Sequence, residues 1–123
     1  MFERIGKIES TMLGTEKHGI MSFDLVFDFG GIGQVFGGYC LDTYDEEQKT
    51  RVATIAGMDL IMGILKACGI EKWEDIKGKI MYALYDKDGW EQTIKGIKAL
   101  PFESGGTFLI EDWQKKWFPK EQE

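Results

Sequence analysis

Arginine is nearly absent from this chain: Arg4 and Arg51 are the only two among 123 residues. Acidic residues outnumber basic ones 21 to 15, for a net charge of −6. A nucleic-acid polymer is held by clustered Lys and Arg that release counterions, so a DNA or RNA polymer is not an expected partner. One or two cations and some backbone donors still suffice for a single nucleotide. Histidine occurs once, as His18, and no cysteine pair has metal-ligand spacing, which speaks against a zinc site. The two cysteines, Cys40 and Cys68, lie far apart in apolar contexts and are expected to be reduced core thiols. No apolar run approaches the roughly 18 residues of a membrane span. The start, Met1-Phe2-Glu3-Arg4, is too acidic and polar for a signal peptide, so a cytoplasmic protein without membrane partners is expected. G-x-S-x-G, Walker, H-E-x-x-H and EF-hand patterns are all missing, and no motif calls for a cofactor.

What is present is an ordinary globular composition, 43% hydrophobic and 13% aromatic, at a length suited to a single domain over residues 1–123. Phe2 to Leu13 favours an extended chain. Met21, Phe23, Leu25, Phe27 and Phe29 then alternate with mostly polar neighbours and give the clearest strand signal. Gly30-Gly31-Ile32-Gly33 turns the chain, and Gln34 to Leu41 returns as a third strand of an antiparallel meander. Tyr44 to Arg51 reads as a loop running into a helix over Val52 to Cys68, whose packed stripe is expected to be Val52, Ile55, Met58, Met62 and Leu65. Gly57 and Gly63 lower helix propensity, which close packing of the helix would offset. Gly69 is placed to cap it. Lys79 to Tyr85 and Trp90 to Leu100 predict a second hairpin around Asp86-Lys87-Asp88-Gly89, with a bulge at Gly96. A short strand from Thr107 to Ile110 precedes a last helix in which Trp113 and Trp117 share a face. The expected class is α+β: a mostly antiparallel sheet (N-terminal meander plus second hairpin) with one main helix.

Few residues suggest catalysis. His18 beside Glu16 is either a general acid–base pair or part of a Gly-flanked turn, and the turn is the better reading. The acidic pairs Glu46-Glu47, Glu74-Asp75 and Glu111-Asp112 read as solvated faces or helix starts. The most unusual stretch is Gly30 to Tyr39, where five of ten residues are glycine. Gly37 and Gly38 fall inside the returning strand, where glycine marks a bulge or a close approach by a ligand or another backbone. Both explanations stand. Phe36 and Tyr39 are available to stack a base, and Gln34 to read polar edges. The aromatic second hairpin, with Tyr82, Tyr85 and Trp90, offers either cross-strand packing or pocket walls. Tyr82 shares its face with Ile80 and Leu84, which favours burial in a core or an interface. Arg51 is either an ion-pair partner of Asp45 to Glu47 or an anion clamp.

Several segments resemble a family of small phage and prophage proteins. They are Ile8-Glu9-Ser10-Thr11-Met12-Leu13-Gly14, Glu16-Lys17-His18-Gly19-Ile20, Gly30 to Asp42 (especially Gln34-Val35-Phe36-Gly37-Gly38-Tyr39-Cys40-Leu41-Asp42), Gly57-Met58-Asp59-Leu60-Ile61 and Trp73-Glu74-Asp75-Ile76-Lys77-Gly78-Lys79. The family is that of the first described anti-Thoeris proteins. The likeness runs from about Ile8 to Tyr85, and the Q-x-F-G-G-Y-x-L-D run is its most specific part. It implies a non-enzymatic sponge in the host cytoplasm, which sequesters a cyclic ADP-ribose isomer (glycocyclic ADP-ribose) without cleaving it and so blocks Thoeris immunity. It further implies a homodimer or hexamer with pockets where protomers meet, and, in some members, cyclic oligonucleotides at a separate site. Carried over by position, Gln34, Phe36, Gly37, Gly38, Tyr39 and Asp42 are pocket candidates. Tyr82 and Gln92 would stack and hydrogen-bond, and Arg51 would meet phosphate, with Lys79 and Lys95 or backbone amides compensating for the scarcity of arginine. Two other readings compete: a phage inhibitor that binds a host protein, and a small nucleotide hydrolase using His18 and Glu16.

Overall fold

The computed structural model describes residues 1–122. Its longest strand, β1 (Phe2–Thr15), runs through the middle of a six-stranded sheet. β2 (Met21–Asp28) and β3 (Gly33–Gly37) complete the N-terminal meander beside it. A small separate hairpin follows, made of β4 (Asp42–Asp45) and β5 (Thr50–Ala53). Next come α1 (Ile55–Cys68), a short 3-10 turn over Trp73–Ile76, and β6 (Ile80–Tyr85). β7 (Gly96–Lys98), β8 (Thr107–Leu109) and α2 (Ile110–Trp117) close the order, before a last 3-10 turn over Pro119–Gln122. The large sheet has the order β3-β2-β1-β6-β7-β8, and every neighbouring pair is antiparallel. The fold is therefore α+β with a mostly antiparallel sheet.

One face of the sheet is dry. The alternation in β2 buries Phe23, Leu25 and Phe27, and β6 adds Met81, Ala83 and Tyr85. Against them lie Leu60, Ile64, Ala67 and Cys68 of α1 and Trp113 of α2, in one continuous cluster. Each large apolar side chain buried this way contributes about 1.5–3 kcal/mol. Burial pushes the Cys68 thiol up to about 11, opposed weakly by Lys79, so this thiol is unreactive at neutral pH. α2 is pinned to α1 by its tryptophans: Trp113 Nε1 donates to Ala56 O (2.7 Å) and Trp117 Nε1 to Asp59 Oδ2 (2.8 Å).

Several expectations are corrected here. The third strand ends at Gly37 rather than Leu41. Beyond it the chain still follows β2 through isolated bonds, from Gly38 N to Phe23 O and from Leu41 N to Met21 O, each 2.8 Å. The expected loop from Tyr44 to Arg51 is the β4–β5 hairpin, because Thr43, Tyr44, Thr50 and Val52 suit extended backbone. The helix starts three residues later than expected, at Ile55, with Thr54 Oγ1 accepting from Gly57 N. Its expected packed stripe faces outward: Ile55, Met58 and Met62 are 76%, 58% and 48% exposed. α1 is apolar on two faces, and the face carrying Gly57 wins because only glycine lets it approach the chain at Leu41 so closely. Gly69 does cap α1, with bonds to Leu65 O and Lys66 O.

The second hairpin has a much shorter return strand than expected. Only Gly96–Lys98 pairs with β6, and Asp86–Lys95 is an irregular flap. Gly96 sits in regular register; the bulge lies in β1, between Ile8 and Ser10. In β6 the face toward the helices belongs to Met81, Ala83 and Tyr85. Tyr82 is half-buried on the opposite face, between the half-exposed Ile80 and the buried Leu84, and lies outside the core cluster. Cys40 is exposed rather than a core thiol.

Candidate functional site

A cavity of about 920 Å³ lies between the β4–β5 hairpin, the start of α1 and the Thr15–Met21 turn. Small-molecule pockets span about 300–1,000 Å³, so this one has room for a nucleotide with two phosphates. Its apolar wall is Met21, Leu41, Val52, Met58 and Ile61; its polar wall is Thr15, His18, Asp42, Thr50, Arg51 and Thr54. Local rules build it. The β4–β5 ladder sets Thr43 opposite Val52 and Tyr44 opposite Arg51. Thr54 Oγ1 donates to Leu41 O (2.8 Å) while accepting from Gly57 N (2.9 Å), which ties the helix start to the segment before β4. The first amides of α1 have no intrahelical acceptor, and helix N-termini favour anions.

Arg51 and Asp42 form the electrostatic centre of this wall. Arg51 Nε donates to Asp42 Oδ2 (2.9 Å) and Nη2 to Asp42 Oδ1 (2.7 Å), a two-bond pair. Met21 N–H also donates to Asp42 Oδ2, at 3.2 Å. The Arg51 hydrogen bond, helped by Cys40, Met21 N–H and the Arg51 charge against partial burial, holds the Asp42 carboxyl down at about 2. Among the described residues Arg51 Nη1 donates to no protein atom, so a fixed cation keeps a free donor. The ion-pair partner is Asp42, not the expected Asp45 to Glu47. His18 reaches the same cavity from a left-handed backbone position (φ 67°).

The remaining site candidates fall in three other places. Phe36 is buried in the core, edge-on to Phe23, so it cannot stack a ligand in this fold. Tyr39 packs on Phe23 and Phe36 at the margin of the same cluster. Gly37 serves close backbone packing: a Cβ there would meet Asp24 Cα at 2.7 Å and overlap Phe23 O, whereas one on Gly38 would meet nothing. Gln34 and Gln92 do come together, but through backbone: Gln34 Nε2 donates to Gln92 O (3.3 Å) and Trp90 O (2.9 Å), and its Oε1 accepts from Tyr85 O–H. Tyr82 stands on the open sheet face, with Ile5 and Lys98 as its cross-strand neighbours.

Of the residues singled out from the sequence, the cavity wall holds Asp42, Arg51 and, in another role, His18; it also holds Thr15, Tyr44, Thr50, Thr54, Met58 and Ile61, which the sequence did not single out for a site. The missed signal was the β-branched run Thr50 to Thr54 closing on Asp42 to Tyr44, which predicts a hairpin with Asp42 and Arg51 on neighbouring strands. Among the described residues no cluster of three His, Cys, Asp or Glu side chains could hold a metal ion, and no helix is long and apolar enough to cross a membrane. No protein-family model, no curated protein and no solved structure matches this chain.

Proposed function

We propose that this protein is a phage-encoded anti-defence sponge that binds a cyclic ADP-ribose isomer and holds it uncleaved, blocking Thoeris immunity. The observation that carries the reading is the 920 Å³ cavity with Arg51 fixed in its wall. A cyclic ADP-ribose isomer needs an apolar shelf, a few polar readers and a donor set for its pyrophosphate. The cavity supplies Leu41, Val52 and Met58, then the threonines, then Arg51 and the start of α1. Sequestration is favoured over turnover by the state of Asp42. A carboxylate held at about 2 is a very weak base at neutral pH and cannot serve as a general acid.

The assembly we propose is a homodimer or hexamer in the host cytoplasm. The exposed stripe Ile55, Met58 and Met62 supports it, because Met58 also lines the cavity and a second copy seated there would wall it further. The same stripe suits a host protein, which is the competing reading. Met58→Lys is expected to lower the mass seen by light scattering while leaving circular dichroism unchanged. An unchanged mass would remove this stripe from the interface.

The decisive experiment mixes the protein with cyclic ADP-ribose isomers, removes free ligand, heat-denatures the complex and identifies what is released. Intact nucleotide in stoichiometric amount is expected, with retention falling about tenfold or more in Arg51→Ala. Altered nucleotide would establish a hydrolase and direct attention to His18. No retained nucleotide would end the sponge reading and favour the protein partner.

A further inference from the structure

The other arginine lies far from the cavity in sequence and in a different setting. Arg4, on β1, keeps only 15% of its side chain exposed. Its guanidinium is 3.7 Å from the Trp90 ring centre, 4.8 Å from Tyr85, 5.3 Å from Phe2 and 6.0 Å from Phe29. Nη2 reaches Asp88 at 3.2 Å, but Nη1 is buried without an acceptor among the described residues. Four rings offer a cation their π faces; only Tyr85 adds a lone pair, on a hydroxyl that donates to Gln34 Oε1 and makes no hydrogen bond with Nη1. The slot therefore satisfies the stacking half of a guanidinium and leaves part of its hydrogen-bonding half unmet.

The part that closes the slot is anchored at its base and held by polar contacts at its tip. Trp90 is 45% exposed and rides on the Asp86–Lys95 flap, outside any strand. The base is anchored by the buried Ile94, by Lys95 N–H on Leu84 O and by Ile110 N–H on Lys95 O, and the tip by the two Gln34 amide bonds and by Arg4–Asp88. Asp88 is 72% exposed, so water competes for that pair. Swinging the tip outward uncovers Arg4 over a floor of Phe2, Phe29 and Tyr85.

We propose that this slot is a second ligand site, for a planar aromatic phosphate of the nucleoside 5′-monophosphate class, with Trp90 as its displaceable cover. The base takes the place of the Trp90 ring on the guanidinium. A phosphate oxygen supplies the in-plane acceptor that Nη1 lacks, and competes with Asp88 for Nη2. The inference does not depend on the sequestration reading, whose cation is Arg51.

Equilibrium dialysis of the full chain against AMP, adenosine and inorganic phosphate tests it. AMP is expected at one per chain, with adenosine and phosphate each about tenfold weaker or more, because each keeps only half the contacts. Trp90→Ala and Asp88→Ala remove the two internal competitors from the surface and should tighten AMP several-fold, whereas Arg4→Lys should weaken it about tenfold. The proposal is overturned if AMP is not retained, if Trp90→Ala and Asp88→Ala weaken binding, or if Arg4→Lys leaves it unchanged.

Discussion

Gly57→Ala is expected to destabilise the protein by about 3 kcal/mol or more, although alanine is the better helix former by about 1 kcal/mol. The opposing effect is steric. A Cβ at Gly57 would overlap the Leu41 carbonyl oxygen and stand 2.7 Å from its carbon and 2.9 Å from its Cα. Those are backbone atoms, and they cannot rotate away. Leu41 is itself held from both sides, its N–H donating to Met21 O and its carbonyl accepting from Thr54 Oγ1. The substitution must therefore push the start of α1 off the segment that leads into β4. Gly63→Ala is the control, because its Cβ would meet only the edge of the Phe108 ring at 2.9 Å, and a side chain can give way. Its effect should be within about 1 kcal/mol of zero, as propensity gain and steric loss offset. Urea unfolding of both variants measures the contrast. A Gly57→Ala protein as stable as the wild type would mean that the helix does not approach Leu41 this closely. Gly57 and Leu41 both wall the cavity, so the same variant is expected to lose nucleotide retention even where it stays folded.

How much of this was legible beforehand differs by element. β2 could be read directly, because Phe23, Leu25 and Phe27 are apolar while Asp24 and Asp28 are not, and a period of two has one solution. β6 could not. Ile80 to Tyr85 is apolar on both faces, so alternation leaves open which set turns inward, and the helices chose Met81, Ala83 and Tyr85. α1 posed the same problem at period 3.6. Ile55, Met58 and Met62 also make an apolar stripe, yet backbone approach at Gly57 decides the packing, and a long-range contact with Leu41 is not written in local sequence. The flap was misread for a related reason: Asp-Gly is a hairpin signal, but Arg4 and Gln34, both more than 50 residues away along the chain, hold Asp88, Trp90 and Gln92 out of the ladder. In the cavity the individual residues Asp42 and Arg51 were visible. Their partnership was not, because a polar, acidic stretch from Tyr44 to Arg51 carries no apolar alternation that pairs the two strands around it.

Asp42→Asn should cost at most about 2 kcal/mol at neutral pH, and the cost should vanish in acid. The carboxyl is mostly buried, with 11% of the side chain exposed, and its value falls from 3.8 to about 2 in the folded protein, chiefly through the Arg51 hydrogen bond. The unfolded chain therefore binds the proton more readily than the folded one. The stability this carboxylate contributes is fully present above pH 3.8 and is lost as pH falls from 3.8 to about 2. An asparagine has the same shape, carries no charge and does not titrate. In either orientation it turns an N–H toward Arg51, because both carboxylate oxygens accept from that guanidinium, and the protonated carboxyl carries an O–H in the same place. Wild type and variant should thus differ in urea midpoint at pH 7 and converge near pH 2. Parallel curves at every pH would show that Asp42 acts through packing alone. The ligand readout separates the two roles of the pair. Asp42 fixes Arg51 in the cavity wall, so Asp42→Asn keeps the cation but frees its side chain, and nucleotide retention should fall less than in Arg51→Ala. Equal losses would mean that the fixed orientation of Arg51, rather than its charge, is what the nucleotide requires.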